Sequence, residues 1–191
     1  MKDEKLLKQK VAEAAIVAFN DKGVKFRMDD LASMLGMSKK TLYKLYDSKE
    51  ELVMTAVELG FGSVMESKEA IINDPGLDIA SKIRKVIIEI PEKYRGIDWR
   101  RLYEFKDAFP EAYARVCYYL DNGWEGTLGL VSEGIRQGKI RNINLSVFRS
   151  MLENAFMGFI SNSNLLDEGI SYQEALEGMI DIVMNGIVTG K

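Results

Sequence analysis

Within residues 38–44 the chain concentrates side chains that can bind phosphate oxygens and the polar edges of nucleic-acid bases. They are Lys39, Lys40, Thr41, Tyr43 and Lys44. Ammonium groups neutralise phosphates, while hydroxyl and aromatic groups hydrogen-bond to phosphates or contact base edges. In a helix, Leu42 and Leu45 share one face and pack inward, which leaves the basic and polar side chains in solvent. The spacing therefore predicts a short helix with an exposed basic stripe.

The residues just before this stripe predict the elements that position it. Leu31, Ala32 and Leu35 recur at the spacing of one helical face. Gly36 follows the last of them, where a helix commonly ends on a left-handed residue, and Ser38 can cap the next helix. Two helices joined by such a short turn form a helix-turn-helix.

A third helix is predicted to begin at Ser48. Ser48 and Glu51 have the N-cap and N3 spacing of a capping box, and an apolar segment follows them. This helix should run from 49 to about 72 and stop at the turn signal of residues 73–76. Because its first turn points amide groups and Lys49 outward, this helix end suits a phosphate.

Taken together, these residues resemble the DNA-binding head of the tetracycline-repressor (TetR) family. The family pattern is matched by Leu31-Ala32, Gly36-Met37-Ser38, Leu42-Tyr43, Tyr46 and Ser48-Lys49-Glu50-Glu51-Leu52. The resemblance is strong over residues 1–60 and weaker but consistent to the C-terminus. It implies an all-α fold of about nine helices, with a helix-turn-helix domain in residues 1–50 and a helical ligand-binding and dimerisation domain in residues 51–191.

The resemblance also implies which residues meet double-stranded DNA. They are Arg27, Ser38, Lys39, Lys40, Thr41, Tyr43, Lys44, Tyr46 and Lys49. By resemblance, Tyr43 and Lys49 contact phosphates, and the other residues of the basic stripe lie in or beside the major groove. Many relatives carry a capping Thr or Ser where this chain has Arg27, so Arg27 is available to reach the DNA backbone instead.

Three other interpretations stay open at this point. Amphipathic helices with lysines outside also occur in ordinary helical subdomains, where the charges are simply solvated. A helical small-molecule-binding protein of the same fold would lack DNA recognition altogether. An enzyme that uses carboxylates or a lysine would show turnover that does not depend on the basic stripe.

Composition limits the remaining classes. The chain has 191 residues, 47% of them hydrophobic, which is enough for a sizeable core. Its net charge is −3, yet residues 1–50 carry 11 Lys/Arg against 8 Asp/Glu, and the remainder carries 15 against 21. A basic head on an acidic body favours one docking orientation on phosphates.

The chain contains no histidine and one cysteine, Cys117. Without histidine, the usual zinc sites and the usual Ser-His and Cys-His arrangements are excluded, so we expect no metal, no cofactor and no enzymatic activity. No signal peptide and no apolar run of about 18 residues is present. We therefore expect a cytoplasmic protein without a membrane partner.

The remaining helices are predicted from periodicity and caps. A first helix covers 3–21 and closes at Gly23, and later helices run through 81–94, where Pro91 ends or kinks the helix, and 98–106, capped by Asp98. One helix is predicted from Pro110 to Gln137 with Gly138 as its C′ residue. Gly123, Gly126 and Gly129 weaken that helix, and the alternative is a break near 122. The last two helices should cover 145–162 and 171–188, capped by Asn144 and Ser171.

These last two helices carry broad apolar faces. In the resembling family they pair with their symmetry mates in a four-helix dimer interface. The residues expected there are Phe148, Leu152, Ala155, Phe156, Phe159, Leu176, Met179, Ile180, Val183 and Ile187. A homodimer would place two recognition helices on a palindromic operator, because protein symmetry is mirrored in the DNA.

Residues 94–160 are rich in aromatic side chains, which either fill a core or line a pocket between helices. By family resemblance, some of them face a small, largely apolar or aromatic effector. Trp99, Tyr103, Tyr113 and Trp124 are the candidates, because each ring has a polar group. Acidic residues among the rings would also admit a cationic ligand, although solvated surface carboxylates are the favoured interpretation.

Overall fold

The computed structural model describes residues 2–161 and 164–189. Over these residues the fold is all-α, as predicted, with nine helices of seven residues or more. They are α1 (Lys2–Lys22), α2 (Met28–Met34), α3 (Lys39–Leu45), α4 (Lys49–Asn73), α5 (Ile79–Ile87), α7 (Pro110–Asp121), α8 (Glu125–Arg136), α9 (Leu145–Ser161) and α11 (Tyr172–Ile187). Two single turns of helix, α6 (Phe105–Ala108) and α10 (Asn164–Asp167), and three 3₁₀ helices, Gly23–Lys25, Glu92–Tyr94 and Trp99–Glu104, complete the described elements.

Residue contacts divide the chain into two compact units. The head unit comprises Met1–Gly62 and Ile97–Tyr118, and the body unit comprises Ser63–Gly96 and Tyr119–Lys191. Residues 97–118 thus pack with the helix-turn-helix although they follow it by some fifty residues. This division concerns packing, and the functional boundary at residue 50 stays a prediction.

The head unit has its own apolar core because each of its amphipathic helices turns one face inward. Fully or nearly fully buried are Val11, Ala15, Ala18, Phe26, Leu31, Leu42, Tyr46 and Leu52. Aromatic rings extend this core into residues 97–118. Phe19 lies 4.6 Å from Phe105, and Phe105 lies 5.6 Å from Phe109, between ring centroids. Such ring pairs stabilise a core beyond the area that they bury.

The body unit is built around α5, α8, α9 and α11. Its most deeply buried side chains include Ile83, Val86, Val131, Leu152 and Ile180. Glycine permits close packing at one point. A Cβ atom on Gly134 of α8 would lie 2.6 Å from Cγ1 of Ile140 and 3.3 Å from Cδ1 of Ile83.

The predicted single helix over 110–137 is wrong, and the alternative break is correct. α7 ends at Asp121 and α8 begins at Glu125, with Gly123 between them at φ +79°. Only glycine adopts this left-handed conformation without strain. Trp124 Nε1 donates a hydrogen bond to Leu120 O at 3.1 Å across the break. Close backbone approach also applies at Gly126, where a Cβ atom would lie 2.7 Å from Cδ1 of Ile72.

The segment around Pro91 also differs from the prediction of one helix through 81–94. α5 ends at Ile87, and a 3₁₀ helix, Glu92–Tyr94, follows the proline. A proline at position 91 has no amide to donate to the Ile87 carbonyl and its ring would clash with that carbonyl in a continuous helix, so the helix does not continue through Pro91. The short segment after Asp98 is 3₁₀ over Trp99–Glu104 before it becomes α6, and Asp98 caps it by accepting from the Arg100 amide at 3.2 Å.

The predicted caps at Asn144, Gly138 and Ser171 are confirmed. Asn144 Oδ1 accepts from the amides of Ser146 and Val147 at 3.0 and 3.1 Å. Ser171 and Glu174 form a reciprocal capping box, and Gly138 ends α8 at φ +67°. No helix among the described residues is long and apolar enough to cross a membrane.

Candidate nucleic-acid interface

The turn between α2 and α3 fixes the angle at which α3 is presented. Gly36 has φ +62°, and the Met37 amide donates to Ala32 O at 2.9 Å while the Gly36 amide donates to Ser33 O at 3.2 Å. These two bonds form a Schellman motif, which satisfies the last carbonyls of α2. Ser38 Oγ then accepts from the Thr41 amide at 3.1 Å and caps α3. The helix-turn-helix predicted from the sequence is therefore present.

α3 is amphipathic in the predicted sense. Leu42 and Leu45 are buried, and the opposite side is exposed to solvent. We call the exposed residues of α3 the recognition face: Lys39, Lys40, Thr41, Tyr43 and Lys44. Tyr43 is 42% exposed, so its hydroxyl and one side of its ring are open to solvent. The recognition face can thus offer ammonium, hydroxyl and phenol groups to a polyanion.

The three lysines of the recognition face differ in their surroundings. Lys39 Nζ lies 2.9 and 3.1 Å from the two carboxylate oxygens of Asp29, in the first turn of α2. This contact, chiefly a hydrogen bond to Asp29, raises the pKa of Lys39. Within residues 2–161 and 164–189, no carboxylate lies within ion-pair distance of Lys40 or Lys44.

Arg27 occupies the N-cap position of α2 and is exposed, and its side chain makes no capping hydrogen bond. Asp30, at position N3, supplies the other half of a capping box, because its Oδ2 accepts from the Arg27 amide at 3.0 Å. This backbone hydrogen bond, together with a hydrogen bond from Lys22, holds the pKa of Asp30 below its usual value. The guanidinium of Arg27 therefore remains available to a phosphate.

Tyr46 and Lys49 do not lie on the exposed surface where the sequence placed them. Tyr46 is fully buried, and its hydroxyl donates to Lys8 O at 2.8 Å, so it holds the end of α3 against α1. The half-buried Lys49 directs its ammonium inward, where it donates to Val24 O at 2.7 Å. Its partner Val24 lies 25 residues earlier in the chain, so no local sequence pattern could indicate this contact.

Lys49 is part of a cluster that we call the clamp, which consists of Gly23, Val24, Lys49, Glu104 and Phe109. Glu104 Oε2 accepts from the Val24 amide at 3.1 Å, while Lys49 binds the Val24 carbonyl. The Lys49 ammonium also lies 5.2 Å from the ring centroid of Phe109. Burial lowers the pKa of Lys49. The clamp fastens the turn between α1 and α2 to the segment that follows residue 97.

Gly23 is the tightest point of the clamp. Its φ is +60°, and a Cβ atom there would lie 2.4 Å from Glu104 Oε2. A side chain at this position would displace the carboxylate that accepts from the Val24 amide.

The capping box predicted at the start of α4 is only half formed. Ser48 Oγ accepts from the Glu51 amide at 3.1 Å, as predicted. Glu51 Oε2 accepts from the Asp47 amide at 2.7 Å, however, and not from the Ser48 amide.

The four aromatic residues predicted to bind an effector are divided between the units. Trp99, Tyr103 and Tyr113 belong to the head unit, where the rings of Tyr103 and Tyr113 meet edge to face at 6.2 Å. Trp124 belongs to the body unit and is 7% exposed, stacked on Phe156 with 5.9 Å between centroids. Its indole hydrogen bond goes to its own backbone segment, so Trp124 fits the core interpretation.

The body unit contains a cavity that the sequence did not indicate. Its volume is about 520 Å³, and its polar lining includes Ser67, Lys85, Glu89 and Arg95. Ser67 Oγ donates to Glu89 Oε1 at 2.5 Å at this site. Volumes of this order are typical of small-molecule sites. The polar lining residues are far apart in the sequence, so no local spacing pattern predicts this cavity.

The ten residues predicted for a dimer interface lie on α9 and α11, but mostly on the inner faces of these helices. Seven are buried in the core of the body unit: Phe148, Leu152, Phe156, Leu176, Ile180, Val183 and Ile187. Ala155, Phe159 and Met179 are partly exposed. The outer faces of the same helices carry Val147, Met151 and Ile182, which are 64%, 50% and 78% exposed. An apolar stripe on a helix indicates which side packs against something. On α9 and α11 most of that stripe packs against other helices of the same chain.

Comparison with known proteins agrees with this geometry. The chain matches the family of bacterial regulatory proteins, tetR family, over residues 11–55, which contain the helix-turn-helix. It is 30% identical over 166 residues to the uncharacterized HTH-type transcriptional regulator YvaF of Bacillus subtilis (strain 168), and the match covers 87% of each chain.

Solved structures extend the likeness of fold to the whole chain. A TetR transcriptional regulator from Chloroflexus aurantiacus J-10-FL superposes with a TM-score of 0.72 at 19% identity, with 100% of both chains covered. A TetR-family regulator from Cytophaga hutchinsonii gives 0.73 at 13% identity, with 100% of this chain and 99% of the other covered. The chain therefore belongs to the TetR family of helix-turn-helix transcriptional regulators.

Proposed function

We propose that this regulator is a cytoplasmic repressor that binds a palindromic operator in double-stranded DNA as a homodimer and leaves it when a small effector binds. The observation that carries the proposal is the recognition face, in which Lys40 and Lys44 are exposed and Tyr43 stands in solvent beside them. The ammonium groups of such a face can bind phosphates, and its hydroxyl groups can hydrogen-bond to phosphates or base edges. Two copies of it in a symmetric dimer would match two half-sites.

DNA binding is tested by selecting bound fragments from a randomised duplex library and titrating the enriched sequence at several salt concentrations. We expect a palindrome and an affinity that falls with a slope of about −0.9 per phosphate neutralised. Tyr43→Ala should weaken this binding. Tyr118→Ala is the matched control, because Tyr118 is a tyrosine of similar exposure, 50% against 42% for Tyr43, and lies outside the helix-turn-helix.

If no sequence is enriched and the wild-type protein binds random duplexes no better than Tyr43→Ala does, the DNA-binding proposal is wrong. The chain would then be a helical small-molecule-binding protein of the same fold. An enriched sequence without two-fold symmetry would retain DNA binding but contradict the dimer on a palindrome.

For the homodimer we propose the outer faces of α9 and α11. Val147, Met151 and Ile182 are exposed apolar residues there, and Gly158 and Gly178 leave open space that a partner helix could approach. Ile182→Glu should produce a monomer in sedimentation measurements and lower operator affinity, because a buried unpaired carboxylate opposes association. Glu177→Gln, an exposed change on the same helix, is the control. A dimeric Ile182→Glu protein would contradict this interface.

For the effector we propose a small, largely apolar or aromatic molecule that contacts Trp99, Tyr103 or Tyr113. Trp99 and Tyr103 share a 3₁₀ helix with Glu104, whose carboxylate holds the Val24 amide in the clamp. A ligand that prefers one position of this 3₁₀ helix would therefore bias the turn between α1 and α2. Trp124, the fourth residue predicted from the sequence, is left out of the proposal because it is buried in the core of the body unit.

The effector is sought by measuring thermal stabilisation of the protein with a panel of aromatic compounds and then release of the bound operator. A compound that releases DNA from the wild-type protein should lose potency against Tyr103→Ala. It should keep its potency against Tyr119→Ala, which lies outside the head unit. Stabilisation without release would contradict the proposed response.

A further inference from the structure

The ion pair between Asp29 and Lys39 joins the two helices of the helix-turn-helix on their exposed side. Two of the three ammonium protons of Lys39 can be directed at Asp29, since both carboxylate oxygens lie within 3.1 Å of Nζ. Both side chains are 59% exposed, so the pair stands in solvent rather than in the core. It contributes little to folding for that reason.

Lys39 also differs from its neighbours in freedom of movement. Lys40 and Lys44 have exposed ammonium groups and, in the part of the chain that the structure describes, no carboxylate partner. Either can follow a phosphate wherever the backbone of the DNA passes. Lys39 can follow a phosphate only if its ion pair with Asp29 breaks. The unpaired carboxylate of Asp29 would then repel the nearby phosphates.

Because the Asp29 carboxylate already offsets the charge of Lys39, the pair as a whole neutralises a phosphate poorly, whereas Lys39 is held in place as a hydrogen-bond donor. Its third N–H can still point at a single acceptor, such as O6 or N7 of guanine in the major groove, while Asp29 retains the other two. Such a contact requires the correct base at the correct place. A phosphate contact does not, because every sequence has the same backbone.

We propose that Asp29 is a specificity-determining residue, which positions Lys39 for a base edge and withholds it from phosphates. This inference rests on the proposed DNA-binding function. Asp29 lowers the affinity for all duplexes through its charge, but it lowers the affinity for non-operator DNA more. The ratio of operator to non-operator affinity is thereby raised, and this ratio decides whether a regulator finds its site among competing DNA.

Asp29→Asn tests the proposal, because the amide keeps the size of the carboxylate and removes the charge. Lys39 then becomes free to neutralise one more phosphate on random duplexes, which steepens the salt slope by about 0.9. Between about 50 and 200 mM salt, the loss of affinity for a random duplex should therefore grow by a further factor of roughly three to four. Operator affinity should rise less, so the operator to non-operator ratio should fall.

Two controls distinguish the positioning of Lys39 by Asp29 from the general effect of removing one negative charge. Asp47→Asn removes one exposed carboxylate just beyond α3, and its side chain is not near Lys39 in any described contact. It should leave the salt slope unchanged. Lys39→Met with and without Asp29→Asn completes a double-mutant cycle, in which the effect of Asp29→Asn on the slope should vanish when Lys39 is absent.

The outcomes distinguish this inference from the proposed function. An equal effect of Asp29→Asn and Asp47→Asn, an effect that persists in the Lys39→Met background, or an unchanged affinity ratio would each overturn the role of Asp29 while operator binding stands. If the wild-type protein prefers no sequence at all, the proposed function fails, and the specificity role fails with it. Circular-dichroism melting curves confirm that the variants compared are folded.

Discussion

Lys44 and Lys49 lie five residues apart, and the sequence predicts that both contact DNA, yet their ammonium groups have opposite surroundings. Lys44 is exposed on the recognition face, without a carboxylate partner among the described residues. Lys49 points into the clamp, where its ammonium donates to the Val24 carbonyl and lies 4.2 Å from the ring centroid of Phe26. The side chains of the recognition face are left in solvent, where a partner can bind them, whereas those of the clamp make contacts within the chain.

This comparison separates two kinds of substitution. Changes on the recognition face should alter DNA affinity and leave the free energy of unfolding almost unchanged, because exposed side chains have few contacts to lose. Changes in the clamp should lower the free energy of unfolding and leave the salt dependence of DNA binding unchanged. The same distinction between packed and exposed side chains holds for Tyr46 and Tyr43, the one buried and the other in solvent.

Gly23→Ala should lower the free energy of unfolding by about 2 kcal/mol, compared with about 1 kcal/mol for Gly36→Ala. Both glycines have positive φ, +60° and +62°, so both substitutions carry the same backbone strain. Only at Gly23 does the new Cβ atom meet Glu104, whereas nothing lies within 4 Å at Gly36. Urea unfolding of the two variants measures the difference, and equal losses would contradict the clamp.

Lys49→Met should lower the free energy of unfolding by roughly 1–2 kcal/mol, because the Val24 carbonyl loses its charged donor. The salt slope of operator binding should stay the same in this variant. Lys44→Met should do the reverse, with unfolding unchanged and a slope shallower by about 0.9. Chemical denaturation and salt titrations of both variants provide the test. A shallower slope in Lys49→Met would show that its ammonium reaches DNA after all.

Tyr46→Phe should cost about 1 kcal/mol of folding free energy, because the Lys8 carbonyl loses its hydrogen-bond donor in a buried place. Tyr43→Phe should leave folding intact and weaken operator binding about fivefold through loss of one hydroxyl contact. Thermal melts and operator titrations of the two variants measure these effects. Loss of DNA affinity in a fully folded Tyr46→Phe protein would contradict the assignment of Tyr46 to the core.

The smallest effect concerns pH. The pKa of Asp30 is held below its ordinary value by the Arg27 amide and Lys22, so the folded state binds this proton less readily than the unfolded state does. Its stabilising contribution is therefore present above the ordinary carboxyl pKa and is lost as pH falls below it. The difference in unfolding free energy between wild type and Asp30→Asn should shrink from pH 7 to pH 3. A difference that is independent of pH would show that Asp30 acts only through its shape.

Local features could be predicted from the sequence because each depends on neighbours in the chain. Gly36 and Ser38 specify the turn of the helix-turn-helix, and Asn144 and Ser171 specify helix starts, through hydrogen bonds to backbone groups within a few residues. The direction of a side chain on a helix end depends instead on what packs against it. Lys49 meets Val24 and Phe109, and neither partner is visible in a local pattern.

The same limit explains the faces of α9 and α11. Periodicity locates an apolar stripe, but it does not say whether the stripe packs within the chain or against a second copy. Leu152 and Ile180 are fully buried within the body unit, whereas the outer face is marked only by isolated residues such as Ile182. The break at Gly123 was ambiguous for a related reason, since a glycine every third residue suits both a closely packed helix and an interrupted one.

The ends of α8 and α11 are joined through backbone atoms. Ile140 and Val188 form an antiparallel bridge, in which the Arg141 amide donates to Ile187 O at 2.8 Å and the Thr189 amide donates to Lys139 O at 2.9 Å. Because both bonds join backbone atoms, a substitution at these positions removes neither a donor nor an acceptor, unless it introduces a proline. In hydrogen–deuterium exchange the two amides should open together, on a timescale set by separation of α8 from α11 rather than by fraying of either helix. They thus provide paired reporters of motion inside the body unit that require no engineered label.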